Sequence, residues 1–417
     1  MPSTRRWREQ RWLVDAVIGT VGVDWDQGRS FYLQAPCGVD AYADFEGVRK
    51  QVRRFDDITP AFAAAADRRE RMAREADTAG HGVTARRNYF TAAVLHGAAQ
   101  WPIFENSDAN RELDGRKLAC YARYAALADH HVERVEIPFG DTSLPGWLHL
   151  PPGARERPVP AVLSIDGMDG FKEMQVALDG DPLLGRGIAV LAIDGPGQGE
   201  CTLRGIHVTA GNWRQVGPAV LGWLRARPEI DAGRLAMQGI SFGSYFATLA
   251  AASAPGWRGC AVAFVCHEPA CTTLFESASP TFKLRFMYMA GHEDEEAFDR
   301  FARGFDLTGV GAALECPYLV IAGERDELSP IEHTHRLLAE LRGPRELLLY
   351  EGERHGLHSS SSSRLGPDFA DHAADWLLRR LDGVPARSRQ LYVEATGAVT
   401  ETAWEEAPRD PVADPAD

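Results

Sequence analysis

Gly239-Ile240-Ser241-Phe242-Gly243 constrains this chain more than any other stretch, because of what lies on either side of it. Arg234-Leu235-Ala236-Met237-Gln238 has the length and apolar content of a short strand, and Ser244-Tyr245-Phe246-Ala247-Thr248-Leu249-Ala250-Ala251 that of a helix. A strand that turns straight into a helix strains the residue at the turn and lifts its side chain above a sheet edge. Glycines two positions before and after let neighbouring backbone come close. The spacing therefore predicts Ser241 as a presented, reactive hydroxyl on a sheet flanked by helices.

From about residue 132 onward the chain agrees with such a sheet. Residues 161–165, 188–193, 234–238, 260–265, 318–322 and 346–350 are short apolar runs separated by helix-length segments. That rhythm belongs to an α/β fold with a mostly parallel sheet and helices on both faces. Just before it, 132–137 and 146–150 alternate across Gly140-Asp141 as a hairpin. Residues 57–77, 84–100 and 108–129 have helical spacing and composition instead. Residues 272–312 interrupt the alternation with a longer, partly polar helical stretch, suited to an excursion over the upper edge of the sheet. The expected organisation is a helical cap region over 1–131, an α/β domain over 132–385, and an acidic, flexible tail over 386–417.

Charge and cysteine content narrow the function classes. With 59 acidic against 45 basic residues the net charge is −14, which argues against a nucleic acid or an anionic membrane as partner. No run approaches 18 apolar residues, and Asp15 and Asp24 interrupt the stretch after the basic N-terminus, so neither a membrane span nor a secretory leader is expected and the cytoplasm is the expected location. Seven cysteines (37, 120, 201, 260, 266, 271 and 316), with no C-x-x-C pair, read as reduced core residues rather than a disulfide framework or a zinc site. No metal or organic cofactor is expected, and the partner is a small-molecule substrate.

A serine hydroxyl becomes a useful nucleophile when a histidine takes its proton and a carboxylate holds that histidine. In the chain order that goes with a G-x-S-x-G turn, the acid follows the serine and the histidine follows the acid. Val320-Ile321-Ala322-Gly323-Glu324-Arg325-Asp326 is an apolar strand followed by carboxylates, of which Asp326 is the best placed, with Glu324 and Glu327 as rivals. Glu351-Gly352-Glu353-Arg354-His355-Gly356-Leu357-His358 follows the next strand and offers His355, with His358 as rival. Backbone N–H donors for an oxyanion are expected from Phe242, directly after the serine, and from Met168 in Asp166-Gly167-Met168. Asp194-Gly195-Pro196-Gly197-Gln198-Gly199-Glu200 lacks the Lys-Ser/Thr of a phosphate loop and reads as a tight turn shaping the site.

Taken together, the D-G-x-G-x-G-E turn, the G-x-S-x-G turn, the acid loop and the late histidine resemble the α/β-hydrolase superfamily over roughly residues 132–383. Arg87-Asn88-Tyr89-Phe90-Thr91-Ala92-Ala93, Leu144-Pro145-Gly146-Trp147-Leu148 and Asp169-Gly170-Phe171-Lys172-Glu173 are similar to the 2,6-dihydroxypseudooxynicotine hydrolase group and to fungal heptaketide-shortening hydrolases. Phe242 and Ser244 around Gly243 depart from the common form of the turn. The resemblance implies cleavage of a carbon–carbon bond next to a ketone; an ester or amide hydrolase using the same triad is the alternative, and a non-catalytic small-molecule receptor a third. It also implies an active-site glutamate between serine and acid, for which Glu268 is the better positional match and Glu276 the rival. Trp7, Trp12, Trp25, Phe31, Phe45, Trp101 and Phe104 could form an apolar lid, and the same N-terminal region could carry a homodimer contact.

Overall fold

In a computed structural model that describes residues 2–177, 181–356 and 358–405, ten strands form one sheet. They are β1 (His131–Phe139), β2 (Thr142–Leu150), β3 (Val159–Ile165), β4 (Ala189–Ile193), β5 (Ile230–Ile240), β6 (Cys260–Ala263), β7 (Tyr318–Gly323), β8 (Arg345–Tyr350), β9 (Arg389–Val393) and β10 (Val399–Ala403). Their order is β1-β2-β4-β3-β5-β6-β7-β8-β9-β10. The run from β4 to β9 is parallel, while β1 with β2, β2 with β4, and β9 with β10 pair antiparallel.

The central strands are apolar on both faces because both are covered. In β7, Tyr318, Val320 and Ala322 enter one core, and Leu319 and Ile321 enter the core on the opposite face. Successive side chains of a strand point to opposite faces, so the period of two sorts them.

The N-terminal region supplies a third core. Its helices are α1 (Arg5–Val21), α2 (Arg29–Gln34), α3 (Tyr42–Gln51), α4 (Ile58–Thr78), α5 (Gly82–Gln100) and α6 (Asp108–Ala126). Residues 88–99 of α5 are all buried, since α4 and α6 pack along it. A Cβ at Gly97 of α5 would overlap the ring of Phe171, so this glycine is where the cap rests on the loop following β3. Among the seven N-terminal aromatics, Trp7, Trp25, Trp101 and Phe104 gather around Phe55, and Phe45 packs on Phe62. Trp12 and Phe31, expected to join a lid, point to solvent.

The remaining helices are α7 (Lys172–Gln175), α8 (Gly199–Leu203), α9 (Trp213–Arg225), α10 (Phe242–Ala252), α11 (Pro280–Ala290), α12 (Glu295–Ala302), α13 (Ile331–Glu340), α14 (Ser361–Leu365) and α15 (Phe369–Leu381). α11 and α12 occupy the excursion between β6 and β7, and Arg6 of α1 donates to the carbonyls of Phe275 and Ala278 there. The flexible tail expected over 386–417 needs correction in its first part. β9 extends the parallel sheet and buries Leu391 and Val393, β10 returns through Gly397, and Trp404 is buried. The apolar alternation of Leu391-Tyr392-Val393 was masked by the acidic, proline-containing sequence after it; residues 406–417 lie outside the described residues. Among the described residues no helix is long and apolar enough to cross a membrane.

Candidate active site

Ser241 sits between β5 and α10 with φ 54° and ψ −125°, a left-handed conformation that costs a residue with a Cβ of order 1–3 kcal/mol. The surroundings hold it there: its N–H donates to the Ala263 carbonyl at 2.9 Å and its carbonyl accepts from Ser244 N at 2.9 Å. A Cβ on Gly239 would fall on the Gly243 carbonyl, and one on Gly243 would meet the carbonyls of Ile165 and Asp166, so only glycines close this turn. Ser244 is explained as well, because its Oγ accepts from Cys266 N at 2.9 Å and ties α10 to the segment leaving β6.

Three of the sequence-predicted residues come together. Ser241 Oγ lies 2.9 Å from His355 Nε2, and His355 Nδ1 lies 2.9 Å and 3.1 Å from the two carboxylate oxygens of Asp326. One tautomer satisfies both contacts, with Nδ1–H donating to Asp326 and Nε2 accepting from the serine hydroxyl. Asp326 follows β7 and is fixed by Leu328 N and Ser329 N, each donating to it at 2.9 Å. Burial by itself would push the His355 imidazole down, but the Asp326 charge and hydrogen bond, with Glu327 added, outweigh it and hold the group above its ordinary value. A base with raised affinity for a proton, aimed at a strained serine, can accept that proton as a new bond forms at Oγ.

The rivals have other partners. Glu324 accepts from Gly352 N and the Tyr392 hydroxyl, and Glu327 accepts from the backbone N–H of His355 at 3.0 Å. The backbone N–H of His358 donates to Glu353 and Ser363, and its ring lies against Phe369. Glu353, which sequence reasoning passed over, is buried and gathers donors from Ser359, Ser360 and Ser363. Although burial opposes it, these hydrogen bonds bring its carboxyl down to about 2. The serine-rich run after His355 thus anchors the histidine loop.

Glu268 and Glu276 are not brought to Ser241 by any contact found among the described residues. Both oxygens of Glu268 accept from Thr273, from its N–H at 2.7 Å and its hydroxyl at 3.0 Å, with His333 4.0 Å away. Its carboxylate closes the turn over 268–273. Glu276 is half exposed and pairs with the Lys283 ammonium at 2.7 Å.

Phe242 occupies the first turn of α10, where backbone N–H groups have no partner within the helix. Gly167, next to Met168, stands so near Ser241 that a Cβ there would be 3.0 Å from the serine Cβ. The D-G-x-G-x-G-E turn holds this second loop: Gln198 Nε2 donates to the carbonyls of Asp166 at 2.5 Å and Gly167 at 3.1 Å, while its Oε1 accepts from Gly195 N. From α11, Arg285 Nε donates to the Met168 carbonyl at 3.2 Å, and from the cap Arg29 Nη1 meets Asp169 at 2.5 Å. Arg29 is buried, pairs also with Asp26 at 3.0 Å, and lies 3.9 Å over the Trp101 ring. A lone arginine on a short helix carries no sequence pattern that could have announced this contact.

Comparison with known proteins places the family and the fold. The family model described as esterase FrsA-like matches residues 66–293, more than half of the chain. The α/β hydrolase xenA of Xenoacremonium sinensis is 36% identical over 47% of this chain and 48% of its own length, and pydG of an Acremonium species is 34% identical over the same shares. The chain thus spans about half the length of these fungal relatives. The 2,6-dihydropseudooxynicotine hydrolase of Paenarthrobacter nicotinovorans is 25% identical over 81% of this chain and 88% of its own. A solved structure of a 2,6-dihydroxy-pseudo-oxynicotine hydrolase superposes with a TM-score of 0.73, covering 86% of this chain and 97% of that one at 23% identity, a likeness of fold, cap included. The chain belongs to the FrsA-like esterase family and has the α/β-hydrolase fold.

Proposed function

We propose that the chain is a serine hydrolase that cleaves a carbon–carbon bond next to a ketone in an aromatic or polyketide-like substrate, with Ser241, His355 and Asp326 as its triad. The single observation that carries the hydrolytic part is the relay from Ser241 Oγ through both nitrogens of His355 to Asp326. His355 takes the serine proton as Oγ bonds to the ketone carbon, and the Phe242 and Met168 N–H groups hold the resulting oxyanion. Collapse breaks the carbon–carbon bond, and the departing enolate takes the proton from His355. Water, deprotonated by His355, then releases the acyl group as a carboxylic acid. Similarity to the pseudooxynicotine hydrolase along both cap and sheet supports the carbon–carbon reading.

A second reading, an ester or amide hydrolase with the same first steps, is favoured by the esterase description of the family. Product analysis by mass spectrometry on p-nitrophenyl esters and on polyketide-like 1,3-diketones separates the two. Diketone cleavage to an acid and a ketone is the expected outcome; fast ester turnover without it would overturn the carbon–carbon reading. The seven cysteines, none in a disulfide, are in keeping with a cytoplasmic location. Exposed Trp12, Phe31, Val39 and Tyr42 support a homodimer through the N-terminal region, to be measured by light scattering.

A further inference from the structure

In the loop that follows β3, the Gly167 N–H is already used, donating to Asp166 Oδ1 at 2.7 Å, whereas the next one, on Met168, has no hydrogen-bond partner among the described residues. The direction of that free N–H is set from behind. Gln198 Nε2 carries two hydrogens, and its acceptors are the successive carbonyls of Asp166 at 2.5 Å and Gly167 at 3.1 Å. In a trans peptide unit the C=O and the N–H lie in one plane and point in opposite directions. A Gly167 carbonyl turned toward Gln198 therefore turns the Met168 N–H, which belongs to the same unit, away from it. Gln198 has little freedom to swing: it is 1% exposed, and its Oε1 accepts from Gly195 N at 3.0 Å. Its turn is braced in addition by Trp213 Nε1 on the Pro196 carbonyl at 3.1 Å, and by Asp194, whose carboxylate takes the Lys172 ammonium at 2.9 Å and Glu200 N at 3.0 Å.

We infer that Gln198 is a positioning residue of the hydrolytic site: acting through the Gly167–Met168 peptide unit, it aims the Met168 N–H at the oxyanion that forms when Ser241 adds to a carbonyl. Gln198 touches the loop and not the substrate. The loop is close to the nucleophile, since a Cβ on Gly167 would lie 3.4 Å from Ser241 Oγ. Arg285 Nε holds the following carbonyl, that of Met168, so the backbone is pinned on both sides of the N–H in question. A donor aimed in advance stabilises developing charge without having to reorient, whereas an unpinned peptide unit would have to rotate into place at the moment of reaction. The inference rests on the serine-hydrolase reading, with Met168 as one oxyanion donor. It does not depend on which bond is broken, because the same oxyanion forms on a ketone and on an ester.

The experiment uses the full chain, p-nitrophenyl acetate as substrate and two competing ketones. 2,2,2-Trifluoroacetophenone takes up the Ser241 oxygen to give a tetrahedral oxyanion; acetophenone occupies the same space without accumulating as an adduct. Gln198→Met removes both N–H donors and keeps the length of the side chain. Gln198→Glu keeps the outline and an oxygen for Gly195 N, but sets acceptors against acceptors, and it stands in if the methionine variant does not fold. In each, kcat/KM and the Ki of the trifluoro ketone should worsen together by about tenfold to hundredfold, less than the ~10²–10³ of losing an oxyanion donor outright, while the Ki of acetophenone changes by less than about threefold. A role in stability alone would lower only the fraction of protein labelled by a fluorophosphonate, and would leave both Ki values where they were. An unchanged trifluoro ketone Ki in either folded variant would overturn the inference, as would equal losses for the two ketones. Wild-type protein that hydrolyses no ester and forms no adduct would overturn the serine-hydrolase reading and the inference with it; an active wild type with unaffected variants would overturn the inference alone.

Discussion

Replacing Arg29 with Met should cost stability in a way that depends on pH, and turnover as well. The guanidinium is 1% exposed, bridges Asp26 at 3.0 Å and Asp169 at 2.5 Å, and lies on Trp101. Methionine fills much of the space and keeps contact with the indole, so the void left is small. What remains is two buried carboxylates without their cation, and breaking a buried pair this way costs about 3–5 kcal/mol. The pH dependence follows from Asp26, whose carboxyl already stands above its ordinary value because burial outweighs the opposing charge of Arg29. Without Arg29, burial acts with less opposition and the folded-state value rises further. A carboxyl raised in the folded state contributes stability below its unfolded value, near ~4, and loses it as pH climbs through the folded value. Thermal unfolding should therefore show the variant close to wild type near that lower pH and falling behind by about 3–5 kcal/mol toward neutrality. Because Asp169 adjoins Met168, kcat on a small activated ester should also drop, by no more than the ~10²–10³ that loss of an oxyanion donor costs. A deficit of equal size at every pH, or wild-type kcat in the folded variant, would refute the reasoning.

How much of this was legible beforehand depends on whether a feature is local in sequence. The Ser241 turn is local: glycine spacing, strand and helix lie within about twenty residues, and the backbone needs those types there. Asp326 and His355 were readable because each ends an apolar run, and parallel strands deliver their C-terminal ends to one edge of a sheet. The contacts that decide between rivals are not local. Glu268 looked well placed by position, yet the neighbouring Thr273 takes both its oxygens. Glu353 and the serines after His355 looked like a loop, and only the fold shows the carboxylate at their centre. Arg29 meets Asp169 across 140 residues of chain, and no periodicity reports such a meeting. β9 and β10 were hidden for a different reason: an acidic C-terminal composition outweighed a short apolar alternation.

Three further outcomes test the triad and its neighbours. Ser241→Ala should lower kcat by about three or more orders of magnitude with the circular dichroism spectrum unchanged, since triad members act as a unit; activity within tenfold of wild type would remove Ser241 from its role. Glu268→Gln keeps one oxygen for Thr273, so it should change ester and diketone turnover equally and by less than about tenfold, below the usual worth of general acid–base help; a selective loss on the diketone would restore Glu268 as a site residue. The third concerns pH. His355 must be neutral to accept a proton, so kcat/KM should fall on acidification through its free-enzyme value. That value is raised, with burial opposing and the Asp326 charge, its hydrogen bond and Glu327 prevailing, so the acidic limb should lie above the ordinary ~6.5 of histidine. Asp326→Asn removes the larger raising influences and leaves burial in place. Its limb should move down in pH, while the maximum falls by about 10⁴ because an amide favours the wrong tautomer. Glu327→Gln removes only the weakest raising influence, so its limb should move less. An Asp326→Asn limb that stays where it was, or moves up, would mean that another group carries the pH dependence.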